Sequence, residues 1–224
     1  MSAVAQRPRQ LALALDHAES YAREDFLSGP CNEKALTLVD CWPDWPANAV
    51  ALVGPEGSGK THLAMVWASA AGARITTARA LTEADVPSAL ATGALVVEDA
   101  ATNADDRALF HLINLAREES AFLLFTASVL PASWPTMLPD LTSRLRALPV
   151  ASLQAPDDAI LRAVLVKLAG DRQLALDEAV VGYLSTHIER SFAAARAAVV
   201  ALDNEALRQR RPVTRALAAE LFRG

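Results

Sequence analysis

Val50-Ala51-Leu52-Val53-Gly54-Pro55-Glu56-Gly57-Ser58-Gly59-Lys60-Thr61 is the stretch that decides the fold. Gly54, Gly59, Lys60 and Thr61 fit the phosphate-binding pattern G-x-x-x-x-G-K-[ST]. A chance match arises in about one in a hundred chains of this length at average residue usage, and the flanks make chance rarer still. The apolar run Val50-Ala51-Leu52-Val53 predicts a buried strand. Beyond Thr61, the apolar residues Leu63, Val66, Trp67 and Ala70 recur at helical spacing, and Gly72 marks a helix stop. Strand, glycine loop and helix in that order are what phosphate binding requires. Backbone N–H groups of the loop cradle phosphate oxygens, glycines admit close approach, and the helix N-terminus adds partial positive charge. Pro55, Glu56, Gly57 and Ser58 complete the loop, with His62 directly after it. Lys60 is expected to reach the terminal phosphates, and the Thr61 hydroxyl to hold Mg²⁺.

A second motif follows at Leu95-Val96-Val97-Glu98-Asp99, an apolar run ending in two carboxylates. This is the Walker B form, in which a buried strand delivers acids at its C-terminal edge. One acid would bind Mg²⁺ and the other would orient an attacking water. Further buried strands are expected at 73–78, 121–126 and 148–151, with a short crossover at 81–93 and a helix over 105–120. Thr126, at the end of its strand with Ser128 just beyond, either points at the γ-phosphate or is an ordinary polar strand end. From Pro156 onward the alternation stops. Helices are expected over 157–169, from Asp177, over 191–209 and over 214–222. The expected architecture is therefore α/β: a phosphate-loop NTPase core with a five-stranded parallel sheet flanked by helices (residues 25–153), then a small all-helical lid (154–224).

The rest of the chain bounds the function. A chain of 224 residues with 52% hydrophobic content and mean hydropathy +0.20 can bury a sizeable core. Net charge is −5, so a bulk electrostatic grip on DNA is not expected. Cys31 and Cys41 have no metal-type spacing. No apolar run approaches the ~18 residues of a membrane span, and a cytoplasmic protein is expected. Residues 1–24 read as a flexible tail. Within it Gln10-Leu11-Ala12-Leu13-Ala14-Leu15 alternates apolar and small residues. That segment is either an edge strand or an extended docking motif whose glutamine and leucines enter a partner's apolar pocket. The stretch Phe26-Leu27-Ser28-Gly29-Pro30-Cys31-Asn32 either closes over the base of a nucleotide or is a plain loop, with Asn32 expected to cap the helix after it.

Taken in order, these motifs resemble the AAA+ ATPases and, within them, the DnaA initiator group. The matching segments are 26–36, 54–63, 95–99, 138–145 and 188–195, so the resemblance spans nearly the whole chain from Phe26. Two departures from the initiators are expected: no helix-turn-helix domain is expected after the lid, and residues 79–93 are too short for the extra helix that contacts single-stranded DNA. Gln10, Leu11, Leu13 and Leu15 are similar to the sliding-clamp-binding motif of the Hda-type regulatory inactivators, a DnaA-related family. That resemblance implies docking on the DNA-loaded clamp and stimulated hydrolysis of DnaA-bound ATP. It also allows head-to-tail contacts between like subunits. It assigns Arg144 as an arginine finger acting in trans. Arg190 becomes a lid arginine contacting the chain's own nucleotide. Without the resemblance, each would read as an ordinary surface or salt-bridged arginine. The family's Mg²⁺-binding Asp position is Glu98 here, which shifts the carboxylate by about 1.5 Å. ADP as resting ligand and weak intrinsic ATPase activity are therefore expected. The competing expectations are a self-contained ATPase, such as a DnaC-type helicase loader or clamp-loader-like subunit, and a nucleotide-binding interaction module.

Overall fold

A computed structural model describes residues 21–223. Gln10, Leu11, Leu13 and Leu15 lie outside the described residues. In chain order the elements are α1 (Glu33–Asp40), β1 (Ala49–Val53), α2 (Lys60–Ala71), β2 (Arg74–Thr77), α3 (Val86–Ala89), β3 (Ala94–Glu98), α4 (Asp106–Glu118), β4 (Phe122–Ala127), α5 (Pro139–Ala147) and β5 (Val150–Ser152). Four further helices follow: α6 (Asp158–Asp171), α7 (Glu178–His187), α8 (Phe192–Gln209) and α9 (Arg215–Leu221).

The strands pair in parallel in the order β2-β3-β4-β1-β5. Parallel strands covered on both faces read as continuous apolar runs, which is why 50–53, 95–97 and 123–125 are legible. Successive side chains alternate between faces. Ala51 and Val53 of β1 therefore join Leu95, Val97, Leu123 and Phe125 in the core under α4 and α5. Val50 and Leu52 join Val96 and Leu124 in the core under α1 and α2. The lid has its own core, built on Leu161, Leu165, Val180, Leu184, Val199, Leu202 and Leu217. Leu153 still belongs to the sheet's core, and Asp157 begins the lid by accepting the Ile160 N–H at 2.8 Å. Asp177, Ser191 and Thr214 cap the next three lid helices in the same way. Each such cap is worth about 1 kcal/mol.

Three local expectations change. Asn32 sits at the N-cap position of α1, yet its side chain makes no cap hydrogen bond. Its Oδ1 instead accepts the Gly29 N–H at 2.9 Å and its Nδ2 donates to the Leu27 carbonyl at 3.0 Å. The buried amide is spent holding the 27–29 turn that Gly29-Pro30 creates. Within the stretch expected as tail, Tyr21 meets His62 edge-on at 5.4 Å and Arg23 pairs with Asp40 at 2.7 Å, so these two residues pack on the folded chain. The connector at 42–46 is a core element as well as a turn: Trp45 stacks on Trp67 of α2 at 4.9 Å and donates its Nε1–H to the Leu38 carbonyl. No helix among the described residues is long and apolar enough to cross a membrane.

Candidate nucleotide site

The site forms at the C-terminal edges of three adjacent strands, β3, β4 and β1. β1 runs into the loop 54–59, and α2 starts at Lys60. The Gly54 N–H donates to the Ala127 carbonyl at 3.1 Å, which ties the loop's first residue to the end of β4. Gly59 has φ +94°, a left-handed conformation that L side chains rarely adopt. Pro55 and Glu56 are exposed at the crest of the loop. Ser58 is buried beneath Gly54, and its hydroxyl has no hydrogen-bond partner among the described residues. Thr61 is exposed. The Lys60 Nζ donates to the Gly54 and Pro55 carbonyls, at 2.8 Å each. Burial pushes this ammonium below its ordinary pKa, while the carboxylates of Asp99, Glu56 and Glu98 work the other way. The Walker B acids thus lie within electrostatic reach of the phosphate-loop lysine.

Glu98 is the last residue of β3 and is half-buried. Asp99 follows in a left-handed turn at φ 52° and is exposed. This turn is held by β4. The Asp99 N–H donates to the Thr126 Oγ1 at 3.2 Å, and the Ala100 N–H to the Thr126 carbonyl at 2.9 Å. Thr126 is therefore placed as the support of the Walker B turn. The hydroxyl of Thr61 and the carboxylates of Glu98 and Asp99 form an oxygen-only donor set, the chemistry Mg²⁺ prefers. They are the residues that would hold the ion.

An aromatic wall stands beside the loop. Phe26 is buried and meets His62 edge-on at 5.3 Å. A Cβ added to Gly59 would lie 3.2 Å from the Phe26 ring and 3.5 Å from the Phe192 ring. His62 Nε2 lies 3.1 Å from the Ala22 carbonyl. A carbonyl only accepts, so this nitrogen carries the proton. Burial, the largest cause, pushes the His62 pKa below its ordinary value; the Ala22 carbonyl opposes this, and the nearby Arg196 cation adds to it. The sign follows. A histidine near 6.5 in the unfolded chain but lower in the fold makes the unfolded state the better proton binder. Stability is therefore full above the unfolded value and falls as the pH drops below it. Urea unfolding at pH 7.5 and pH 5.5 is expected to show that loss in the wild type and a smaller one in His62→Gln. Equal losses would remove His62 as the source.

No protein-family model matches the chain, and no curated protein matches it. Solved structures do. Domain III of the replication initiation protein DnaA from Thermotoga maritima is similar at TM-score 0.74 and 18% identity, over 91% of this chain and 95% of that one. AMPPCP-bound DnaA from Aquifex aeolicus gives 0.65 and 16%, over 85% and 69%. A RuvB variant from Thermotoga maritima gives 0.72 and 15%, over 90% and 70%. The chain has the AAA+ fold.

Within this AAA+ fold the lid rests directly on the phosphate loop. The Phe192 N–H donates to the Gly57 carbonyl at 2.8 Å, and a Cβ on Gly57 would stand 2.8 Å from the Ser191 Cβ and 3.1 Å from that of Ala193. Lys167 of α6 also bridges to Asp25 at 2.7 Å. Arg190 precedes the Ser191 cap, is exposed, and reaches Asp158 of the lid at 4.0 Å. The residues of that segment meeting the loop are Ser191, Phe192 and Ala193. Arg144 lies on α5, apart from the loop, with its guanidinium 5.3 Å from the Phe110 ring centroid of α4. The sequence reading missed Phe192 and Arg196. Their helix and its Ser191 start are legible, but which of its faces meets Gly57 and His62 depends on lid packing that no local pattern encodes.

Proposed function

We propose that this AAA+ protein is a regulator of replication initiation that stimulates hydrolysis of ATP held by a DnaA-type partner. The observation that carries the reading is the separation of two devices on one fold. A phosphate loop with lysine, threonine and Walker B acids is assembled at one edge of the sheet. A guanidinium sits on another helix, half-buried against Phe110 and with no carboxylate partner among the described residues. A cation held outside its own nucleotide site suits a neighbour's. There Arg144 stabilises the charge that spreads over the transferring phosphoryl group, and fingers of this kind contribute about 10³–10⁵ in rate.

The chain's own site binds ADP or ATP. Loop N–H groups and Lys60 hold the phosphates, Phe26 and His62 flank the base, and Thr61 and Glu98 hold Mg²⁺, whose charge when bound offsets that of the phosphates. Glu98, one methylene longer than aspartate, leaves intrinsic turnover weak, and ADP is the resting ligand. Gln10, Leu11, Leu13 and Leu15 dock the chain on the sliding clamp as an extended peptide. The similarity to solved DnaA structures supports contact with a DnaA-type subunit, and the cis nucleotide with a trans finger favours head-to-tail contacts, with the initiator or with further copies of this chain. The cytoplasm, at the replisome, is the place for such a protein.

The direct test follows ATP pre-bound to DnaA in the presence of clamp-loaded DNA. Addition of this protein is expected to accelerate hydrolysis. No change in rate would overturn the reading, and brisk turnover of ATP by this chain alone would favour a self-contained ATPase of the helicase-loader type. Clamp pull-down is expected to fail for the Gln10→Ala, Leu13→Ala double variant. Retention equal to wild type would remove the docking assignment.

A further inference from the structure

The lid carries a cluster outside the nucleotide site, and of its members Tyr183 packs partly against the lid core. Tyr183 and His187 lie one turn apart on α7, with their rings stacked at 3.8 Å and 16°. The Arg215 guanidinium carbon, at the start of α9, lies 5.9 Å from the Tyr183 ring centroid. These three, with Ala179, Gly182 and Thr186, line an open cavity of about 300 Å³. His187 Nδ1 is 2.8 Å from the Tyr183 carbonyl, which fixes the turn of the imidazole and keeps it on the stack.

The cluster carries positive charge through Arg215. Arg208 and Arg211 nearby in sequence are each neutralised, by Glu205 and Glu220. Arg215 has no ion pair among the described residues, and no carboxylate lines the cavity. His187 and Arg215 are both exposed, so neither is there to fill the lid core. The outer face of a stacked ring pair, a guanidinium without an ion pair among the described residues and the Thr186 hydroxyl, gathered at a concavity near the lower size limit of ligand sites, match one chemistry. A base stacks on the rings, and the attached phosphate pairs with the arginine.

We infer that the Tyr183–His187–Arg215 cluster is a second nucleotide-unit site, separate from the phosphate loop. It takes a base with its phosphate, supplied either by a single-stranded nucleic acid or by a free nucleotide. It is independent of the finger reading, since none of its residues belongs to the phosphate loop, the Walker B turn or α5.

The test uses the full chain loaded with one equivalent of ADP and Mg²⁺ and freed of excess nucleotide, so that the phosphate loop is filled and the lid cavity stays open to the probe. Fluorescence anisotropy then measures binding of a labelled oligothymidylate and, in a second arm, of a labelled thymidine monophosphate. For whichever probe binds, His187→Ala and Arg215→Ala are each expected to weaken affinity by roughly 5- to 150-fold. With the oligonucleotide, Arg215→Ala is also expected to lower the slope of log affinity against log salt by about 0.7. ADP affinity, measured in parallel, is expected to stay unchanged in both variants, which separates this site from the first. Oligonucleotide binding assigns the source to single strands, and mononucleotide binding alone assigns it to free nucleotides. Binding of neither probe, or equal binding by wild type and variants, overturns the inference.

Discussion

Arg144→Ala is expected to abolish the acceleration of ATP hydrolysis on the DnaA-type partner, a loss of at least about 10³ in the stimulated rate. The reason is geometric. Arg144 stands on α5, with its guanidinium 5.3 Å from the Phe110 ring of α4. A half-buried cation–π contact of that kind contributes about 0.5–2 kcal/mol, so the variant is expected to keep its fold. Lys60, Thr61, Phe26 and His62 stand on other elements. ADP affinity is therefore expected to match wild type while stimulation disappears. Arg144→Lys is expected to recover little of it, because an ammonium lacks the planar fork that matches phosphate oxygens. Phe110→Ala is expected to give an intermediate loss, since it leaves the charge but removes its support. Stimulation by Arg144→Ala at the wild-type rate would sink the finger assignment.

What could be read before the structure, and what could not, divides along a physical line. Segments whose conformation is dictated locally were legible: the buried runs at 50–53 and 95–97, the glycine loop between β1 and α2, the helix stop at Gly72, and the lid helices beginning at Asp157, Asp177 and Ser191. Partnerships made across the chain were not. Thr126 carries no sign in its own neighbourhood that its hydroxyl would hold the Asp99 turn, 27 residues away. Asn32 fits a helix cap by every local rule and is taken instead by the backbone of 27 and 29. Ser191, Phe192 and Ala193 meet Gly57 in the folded lid, a contact between distant segments that no local pattern encodes.

That lid contact bears on how the two halves communicate. The phosphate loop presents a carbonyl, that of Gly57, to a lid N–H. Any ligand that moves Gly57 changes a hydrogen bond to α8, and the same helix carries Arg196, which lies close enough to His62 to disfavour its protonation. The loop and the lid are thus joined through backbone and packing, with Lys167 and Asp25 as a second link between the lid and the core. Any change that loosens α2 beneath this assembly is felt at both the loop and the lid.

Trp67 is the residue on α2 where such a change has the largest expected effect on stability. It is fully buried, stacks on Trp45 at 4.9 Å and 25°, meets Trp42 edge-on at 6.5 Å, and shares a core with Leu52, Val96 and Leu124. Trp67→Ala is expected to cost about 3–5 kcal/mol, a large share of the roughly 5–15 kcal/mol available to a domain. Urea unfolding reads this as a fall in the midpoint. Trp67→Phe separates two contributions. It keeps a ring for Trp45 to stack on and removes only part of the volume. It also removes an indole N–H that is buried and has no hydrogen-bond partner among the described residues. Deleting a donor that makes no bond forfeits no bond and relieves its desolvation penalty. The loss in Trp67→Phe is therefore expected to be well under half that in Trp67→Ala. Because α2 begins at Lys60 and Thr61, saturating ADP with Mg²⁺ is expected to raise the midpoint of both variants through binding to the folded state alone. Equal losses in the two variants would mean that the N–H makes a bond in solution, and that the stacked ring contributes less than its burial implies.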